Sequence, residues 1–169
     1  MIYTCTIDTP LGPMTAAVSG DQLIGLWFVG QKHYPADAST WQSRPEHPLL
    51  VALRGWLEGY FEGKGGELNL PLGPRGTAFQ QAVWEILLRV PHGATITYGD
   101  IARQLAAARG LPSMSAQAVG GAVGRNPISI LIPCHRVVGA DGSLTGYAGG
   151  MDKKQALLQL EGAVESAAV

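Results

Sequence analysis

A glycine- and proline-rich stretch at residues 62–76, EGKGGELNLPLGPRG, is the feature that most limits how this chain of 169 residues can fold. Glycine and proline interrupt both helices and strands, so a stretch this dense in them marks a boundary between folding units. The sequence therefore predicts an N-terminal α/β domain over residues 1–61, a linker over residues 62–76 and a C-terminal domain over residues 77–169.

The part before the linker has the pattern of a small sheet with one helix. Residues 2–18 predict two strands around the turn TPLGP, and the apolar run LIGLWFV from Leu23 predicts a third strand. Four apolar residues then recur at helical spacing: Leu49, Leu53, Leu57 and Tyr60. The first domain is therefore expected to be rich in β-structure.

The part after the linker is helical and has clear helix starts. TAFQ at residues 77–80 is a capping box, and TYGD at residues 97–100 is a second cap of the same kind. A helix of roughly residues 115–125 follows across a Gly-Leu-Pro break, and a last helix runs from Asp152 to the Glu161-Gly162 pair. Two short helices across a tight break predict a helix-turn-helix, although purely structural helix pairs have the same spacing.

The helix at residues 115–125, SAQAVGGAVGR, is built largely from glycine and alanine. Each glycine costs about 1 kcal/mol of helix stability, so something must compensate. Two explanations stay open. The small side chains allow close packing inside the core, or they form a flat face that approaches another surface, such as the minor groove of DNA.

Composition excludes several classes of protein. A net charge of −1 gives no strong electrostatic attraction for a polyanion, and two cysteines are too few for a disulfide framework. No apolar run approaches the roughly 20 residues of a membrane span, and the start of the chain lacks the pattern of a signal peptide. We expect a soluble cytoplasmic protein, associated with the nucleoid if the source is prokaryotic.

The hexapeptide IPCHRV at residues 132–137 carries the chemistry. It follows the apolar run ISILI, which predicts a strand, and Cys134 and His135 cooperate only if the chain bends there, as Pro133 favours. A neighbouring histidine is expected to raise the thiolate fraction of Cys134. A buried structural cysteine is the alternative, and we prefer it for Cys5.

Glu161 and the histidines complete this interpretation. A carboxylate in the last helical turn is disfavoured by the helix dipole, so Glu161 is either a solvated side chain or a partner of a histidine. A Cys–His–Glu series would repeat the logic of nucleophile, base and orienting acid. The four histidines are scattered and no CxxC or HxxxH pair exists, so no metal site is predicted.

Three stretches carry a family resemblance: FQQAVWEILLRVPHGATITYGDIA at residues 79–102, NPISILIPCHRVVGADGSLTGYAGG at 126–150 and KKQALLQLEG at 153–162. Together they closely resemble the O6-alkylguanine-DNA alkyltransferases. The resemblance implies a ribonuclease H-like N-terminal sheet domain and a helical winged-helix, helix-turn-helix domain with the active site. It also implies direct-reversal DNA repair by a monomer, which can cluster on double-stranded DNA containing O6-alkylguanine and uses no cofactor, metal or membrane.

The same resemblance implies a role for each matching residue. Cys134 corresponds to the alkyl acceptor, His135 to the base linked to it through an ordered water, and Glu161 to the acid that orients the histidine. Asn126 corresponds to an asparagine that braces the active-site loop, and Tyr98 to a tyrosine whose hydroxyl lies near guanine N3. The implied base pocket consists of Val137, Tyr147, Ala148 and Gly149. The implied DNA contacts are Thr97, Ser115, Ala116, Gln117, Ala118, Gly120, Gly121, Arg125 and Arg136.

One residue departs from the pattern of the family. Gln117 stands where the family usually has an arginine that fills the gap left by the flipped base. Glutamine keeps hydrogen-bonding groups but loses the charge, so we expect weaker DNA affinity or weaker stabilisation of the flipped state.

Two other functions remain as alternatives. The chain could bind alkylated DNA without repairing it, but relatives of that kind lack the acceptor cysteine that this chain has. It could also be a cysteine hydrolase, which would need an oxyanion hole and repeated turnover.

Overall fold

The computed structural model describes residues 1–163 and divides the chain into two compact units, Met1–Arg75 and a second unit that begins at Gly76. The first unit is built on a β-sheet and the second mainly on helices, which confirms the predicted fold class. The linker at residues 62–76 stays a prediction. Within it, Leu72 forms a bridge to Leu23 of the first unit. No helix in residues 1–163 is long and apolar enough to cross a membrane.

The first unit is a four-stranded sheet with one helix packed on it. Its strands are β1 (Ile2–Thr9), β2 (Gly12–Ser19), β3 (Gln22–Phe28) and β4 (Gln42–Ser43). The order in the sheet is β3-β2-β1-β4, with β1, β2 and β3 antiparallel and β4 parallel to β1. The three predicted strands are confirmed, and the short β4 was not predicted.

Helix α1 (Pro48–Phe61) covers the sheet through contacts with β1 and β2. It begins with a proline, which is favoured in the first turn because it has no backbone N–H to satisfy there. Its buried stripe is Leu50, Leu53, Leu57 and Tyr60. The helix is therefore as predicted, but Leu50 and not Leu49 begins its buried face.

An apolar cluster forms on β2 and β3 around Ala17, Ile24 and Trp27. The indole of Trp27 lies directly over Gly25, where an added Cβ would come within 1.8 Å of the ring. Any larger residue at position 25 would displace this tryptophan, so the LIGLWFV strand requires its glycine.

The second unit contains four α-helices up to residue 163. They are α2 (Ala78–Leu88), α3 (Tyr98–Ala108), α4 (Ala116–Gly124) and α5 (Met151–Leu160). Both predicted caps are present, because Thr77 caps α2 and Thr97 caps α3 in complete capping boxes. The fully buried Trp84 of α2 donates its indole N–H to the carbonyl of Ala122 in α4 at 2.9 Å, which joins these helices across the core.

One strand prediction in the second unit is wrong. The apolar run at residues 128–132 forms turns and not a strand. The GADGS segment at residues 139–143 makes a tight turn closed by a bond from Gly139 N to Ser143 O. Strand β6 (Val137–Val138) pairs in parallel with β5 (Ile96–Thr97).

Candidate active site

A tight turn bends the chain at the reactive cysteine. Residues Cys134–Arg136 form a single 3-10 turn after Pro133, closed by a bond from Arg136 N to the Pro133 carbonyl at 3.0 Å. The expected bend is therefore confirmed. Cys134 is only 6% exposed and His135 is completely buried, so both reactive side chains lie beneath the surface.

Asn126 holds the segment that leads into this turn. Its buried side-chain amide accepts a hydrogen bond from Ile128 N at 3.0 Å and donates to the carbonyls of Ile128 at 3.3 Å and Ile132 at 2.7 Å. Between them, Ile130 adopts a φ of +72°, a conformation that costs a β-branched residue free energy. The three bonds offset that cost and replace the strand that the apolar run predicted.

Glu161, the C-cap residue of α5, connects the 3-10 turn to the last helix. Its carboxylate accepts a hydrogen bond from His135 Nε2 at 2.7 Å. It also accepts two from Arg136, from Nε at 2.7 Å and from Nη2 at 2.9 Å. Glu161 is therefore not a solvated side chain, because it faces a histidine as the second interpretation required.

Arg136 is used differently from its expected role at the DNA surface. Besides its two bonds to Glu161, its Nη1 donates to the Val90 carbonyl at 2.7 Å. Its side chain is 11% exposed. These bonds give Arg136 the task of fixing the Glu161 carboxylate, and a DNA contact by Arg136 stays a prediction.

The surroundings of His135 determine its protonation state. Burial lowers the pKa of His135, and the hydrogen bond and charge of Glu161 only partly counteract this. A neutral ring with the Glu161 carboxylate beside Nε2 carries its proton on Nε2. Within the described residues His135 Nδ1 has no hydrogen-bond partner, so it is available to accept a proton.

The surroundings of Cys134 favour the protonated form of its thiol. Burial raises the pKa of the Cys134 thiol, while the Asn126 amide and the charge of Lys154 act in the opposite direction. The expectation of a raised thiolate fraction is therefore wrong for the protein without its substrate, because the loss of solvation outweighs the favourable neighbours. The thiol proton must leave as the sulfur reacts, which requires a base.

Sequence reasoning missed Lys154. This lysine is fully buried, and its Nζ donates to the carbonyls of Val137 at 2.5 Å, Thr145 at 2.9 Å and Gly146 at 3.4 Å. Burial lowers the pKa of Lys154 to about 8. A signal was present, since Lys154 lies three and four residues before Leu157 and Leu158 and therefore on the apolar face of α5.

Tyr98 is linked to Lys154 through Thr145, and the implied pocket residues include or follow the residues whose carbonyls Lys154 binds. Tyr98 is the first residue of α3, and its phenol oxygen accepts a hydrogen bond from the Thr145 hydroxyl at 3.0 Å. Val137 is buried in β6. The other implied pocket residues lie half-buried between β6 and α5: Tyr147, Ala148 and Gly149.

The small-residue helix presents an open face. Most of the implied DNA contacts on it are exposed: Ser115, Ala116, Gln117, Ala118, Gly121 and Arg125. Gly120 is half-buried, because an added Cβ there would lie 3.8 Å from the ring of Tyr98, whereas a Cβ on Gly121 or Gly124 would meet nothing within 4 Å. The glycines of α4 are thus not explained by close core packing, which favours the interpretation as a face for another surface.

The chain matches two family models along most of its length. Residues 1–74 match the ribonuclease-like domain of 6-O-methylguanine DNA methyltransferase, and residues 78–163 match the DNA binding domain of the same family. The first match agrees with the sheet of the first unit. The second contains every candidate catalytic residue.

Individual relatives agree with these matches. The methylated-DNA–protein-cysteine methyltransferase of Mycobacterium bovis is 45% identical over 161 residues, which cover 95% of this chain and 93% of the relative. The enzyme of that name from Methanosarcina acetivorans is 40% identical, with coverage of 95% and 99%.

Solved structures of Mycobacterium tuberculosis proteins have the same fold. The O6-methylguanine methyltransferase of this bacterium is 43% identical to this chain and has a TM-score of 0.83. The match covers 99% of this chain and 96% of the bacterial protein. The same bacterium's OGT in complex with DNA is also 43% identical with a TM-score of 0.83, covering 95% and 93%. With both domains matched and identity this high over nearly the whole length, the chain belongs to the 6-O-methylguanine DNA methyltransferase family.

Proposed function

We propose that this protein repairs O6-alkylguanine in double-stranded DNA by transferring the alkyl group irreversibly to Cys134. The observation that carries the proposal is the buried Cys134 thiol on the same tight turn as His135, whose Nε2 is bound to Glu161 and whose Nδ1 has no partner among the described residues. This arrangement provides a nucleophile, a base and an orienting acid in a site closed to bulk water.

The target nucleotide has to leave the duplex to reach this site. Guanine O6 lies in the major groove of a stacked base, while the Cys134 sulfur is buried. Flipping the nucleotide costs a few kcal/mol, which binding to the open face of α4 and to the implied base pocket of Val137, Tyr147, Ala148 and Gly149 would offset. The ring of Tyr98 lies beside Gly120 of α4, and its phenol oxygen accepts a hydrogen bond from Thr145, two residues before Tyr147, so Tyr98 is well placed to assist the rotation.

The transfer itself is a displacement at the alkyl carbon. The sulfur–carbon bond forms as the bond from carbon to O6 breaks, and the electron pair passes to the purine. The Cys134 proton passes to His135 Nδ1 through a bridging water, and the resulting imidazolium is stabilised by Glu161. The Tyr98 hydroxyl donates a hydrogen bond to guanine N3, which stabilises the charge on the departing base.

The product explains why each molecule acts once. A thioether on Cys134 has no leaving group that water or a second thiol displaces readily. Overall the thiol proton, first held by His135, is released to solvent, the departing guanine anion takes up a proton from solvent, and the alkyl group stays on the protein. The protein is therefore consumed in proportion to the lesions it repairs.

Measuring the mass of the intact protein tests this function. After incubation with excess duplex containing one O6-methylguanine, we expect every molecule to gain one methyl group and none to gain two. Peptide mapping should place it on Cys134. A lesion-binding protein would form a complex without gaining mass, and a cysteine hydrolase would leave the DNA unchanged. Either result would overturn the proposal.

Gln117 gives a separate prediction about DNA affinity. Gln117 is exposed at the second position of α4, where an arginine would add a cation to the open face. We expect Gln117→Arg to bind lesion-containing duplex more tightly and to steepen the salt dependence of log K by about 0.9 for one new phosphate contact. Fluorescence anisotropy at several salt concentrations measures both quantities.

The control is Gln117→Lys, which adds the charge without the planar guanidinium that stacks and forms paired hydrogen bonds. A gain in both variants would assign the effect to charge, and a gain in arginine alone would assign it to the space left by the flipped base. Unchanged binding and transfer rates in both would show that Gln117 does not limit the reaction.

A further inference from the structure

Thr145 joins Tyr98 to the buried Lys154 through two hydrogen bonds, one made by its side chain and one by its main chain. Its hydroxyl donates a hydrogen bond to the Tyr98 phenol oxygen at 3.0 Å, and its carbonyl accepts one from Lys154 Nζ at 2.9 Å. The side chain therefore faces a residue of the reaction, while the main chain is tied to the core. Nothing in the local sequence assigned a role to this threonine.

We propose that Thr145 is a positioning residue for alkyl transfer, because its hydroxyl directs the Tyr98 proton toward the departing base. The inference rests on the proposed function and names a further residue that the reaction requires. Thr145 does not touch the reacting atoms in this scheme. It acts through Tyr98.

A phenol can donate one hydrogen bond while it accepts another. Tyr98 has one proton to donate and an oxygen that accepts. When Thr145 donates to that oxygen, the phenol proton is left for another acceptor, and guanine N3 is the acceptor that the reaction provides. Accepting one hydrogen bond also polarises the phenol O–H and strengthens the bond that it donates. Each hydroxyl therefore donates to the next group: Thr145 donates to Tyr98, and Tyr98 donates to guanine N3.

The contact between Thr145 and Tyr98 is held in place from both sides. The two residues are 47 positions apart in sequence, yet a second set of hydrogen bonds, through Lys154, β6 and β5, also links them. The buried Lys154 Nζ binds both the Thr145 carbonyl and the Val137 carbonyl at the start of β6. Strand β6 pairs with β5, and β5 ends at Thr97, the residue that caps α3 immediately before Tyr98.

These linked hydrogen bonds distinguish Thr145 from an ordinary loop residue. A half-buried segment held only at its ends would let the hydroxyl move, and the bond to Tyr98 would add little. Here a fully buried ammonium group fixes the main chain of Thr145 and of β6 together, so the entropy of ordering the hydroxyl is already lost when the protein folds. The bond is therefore available to the transition state without further cost.

The experiment compares three forms of position 145 in single-turnover methyl transfer with saturating lesion-containing duplex. Thr145→Val keeps the branched shape and removes the hydroxyl, whereas Thr145→Ser keeps the hydroxyl and removes the methyl group. We expect Thr145→Val to slow transfer about tenfold, the effect of losing one hydrogen bond, and Thr145→Ser to return to within about twofold of wild type. DNA affinity should be the same in all three.

A second background separates positioning from support of the fold. In Tyr98→Phe there is no phenol oxygen for Thr145 to bind, so adding Thr145→Val should slow transfer no further. An equal slowing in that background, a wild-type rate in Thr145→Val, or a failure of Thr145→Ser to restore the rate would each overturn the inference. Failure of the proposed function is distinct, because the wild-type protein would then take up no methyl group.

Discussion

Cys134→Ser takes up no methyl group under conditions in which the wild-type protein is fully converted. This is the largest effect that the structure leads us to expect. A serine hydroxyl is a far weaker acid and a weaker nucleophile toward an alkyl carbon than a thiol, so His135 cannot activate it to the same degree. Serine is nearly the size of cysteine, and the exposed face of α4 is unchanged, so the fold and the DNA affinity should be retained.

Cys5→Ser is the matched control. Cys5 is also buried, at 5% exposure against 6% for Cys134, and burial also raises the pKa of its thiol. The two cysteines differ in their neighbours. The Cys5 sulfur has Arg54 Nη1 at 3.8 Å, and Cys5 lies in the first unit, far in sequence from His135 and Glu161. We expect full methyl uptake in Cys5→Ser. Uptake by Cys134→Ser, measured by intact mass, would place the acceptor elsewhere.

The comparison of the two cysteines shows why burial and acidity alone did not identify the reactive thiol. Both cysteines are buried thiols with a raised pKa. The sequence separated them by their neighbours along the chain, since a proline, a histidine and an arginine surround only Cys134. This distinction agrees with the structure, because the 3-10 turn after Pro133 is formed by residues that are adjacent in sequence.

The helix starts were predictable from sequence for the same reason. A capping box joins residues three positions apart, so Thr77 with Gln80 and Thr97 with Asp100 contain all the information that their hydrogen bonds need. The apolar run before Pro133 was not predictable in this way. Three of its backbone groups bond the side chain of Asn126 and others close turns within the run, and an apolar composition alone does not distinguish a strand from a buried turn.

The partners of two supporting residues, Arg136 and Lys154, could not be predicted because they are distant in sequence. Arg136 binds the Val90 carbonyl 46 residues earlier and the Glu161 carboxylate 25 residues later. The Val137 carbonyl that Lys154 binds lies 17 residues earlier. Such contacts depend on how the chain packs around the 3-10 turn, which periodicity does not report. The nucleophile, the base, the acid and the bracing Asn126 were therefore identified from sequence, the last through the family resemblance, whereas the contacts of Arg136 and Lys154 were not.

Glu161→Gln is the second substitution with a large expected effect. The Glu161 carboxylate accepts hydrogen bonds from His135 Nε2 and from Nε and Nη2 of Arg136. A glutamine has the same shape but no charge, and its NH₂ group would face one of these donors. The guanidinium, largely buried, would lose its counter-ion, so we expect the free energy of unfolding to fall by about 3–5 kcal/mol. Urea denaturation measures this loss.

The same substitution should slow methyl transfer about 10²–10⁴-fold, because His135 loses the acceptor that keeps its proton on Nε2 and its Nδ1 free for the thiol proton. Glu85→Gln on the exposed side of α2 is the matched control, and it should change neither the rate nor the stability. Single-turnover rates measured on folded protein separate the two effects. A wild-type rate in Glu161→Gln would exclude an orienting role for Glu161.

The pH dependence of the transfer rate tests separately whether Glu161 raises the pKa of His135. Burial holds the pKa of His135 below 6.5, so the wild-type transfer rate should stay level as the pH falls through 6.5 and decline only below it, where the ring gains a second proton. Because Glu161 raises the pKa of His135, its replacement by glutamine moves the residual decline to still lower pH. The unfolded chain binds this proton at about 6.5, so His135 also makes the wild-type protein lose stability as the pH falls below that value. A decline that moved to higher pH in Glu161→Gln would contradict the assignment of His135 as the base.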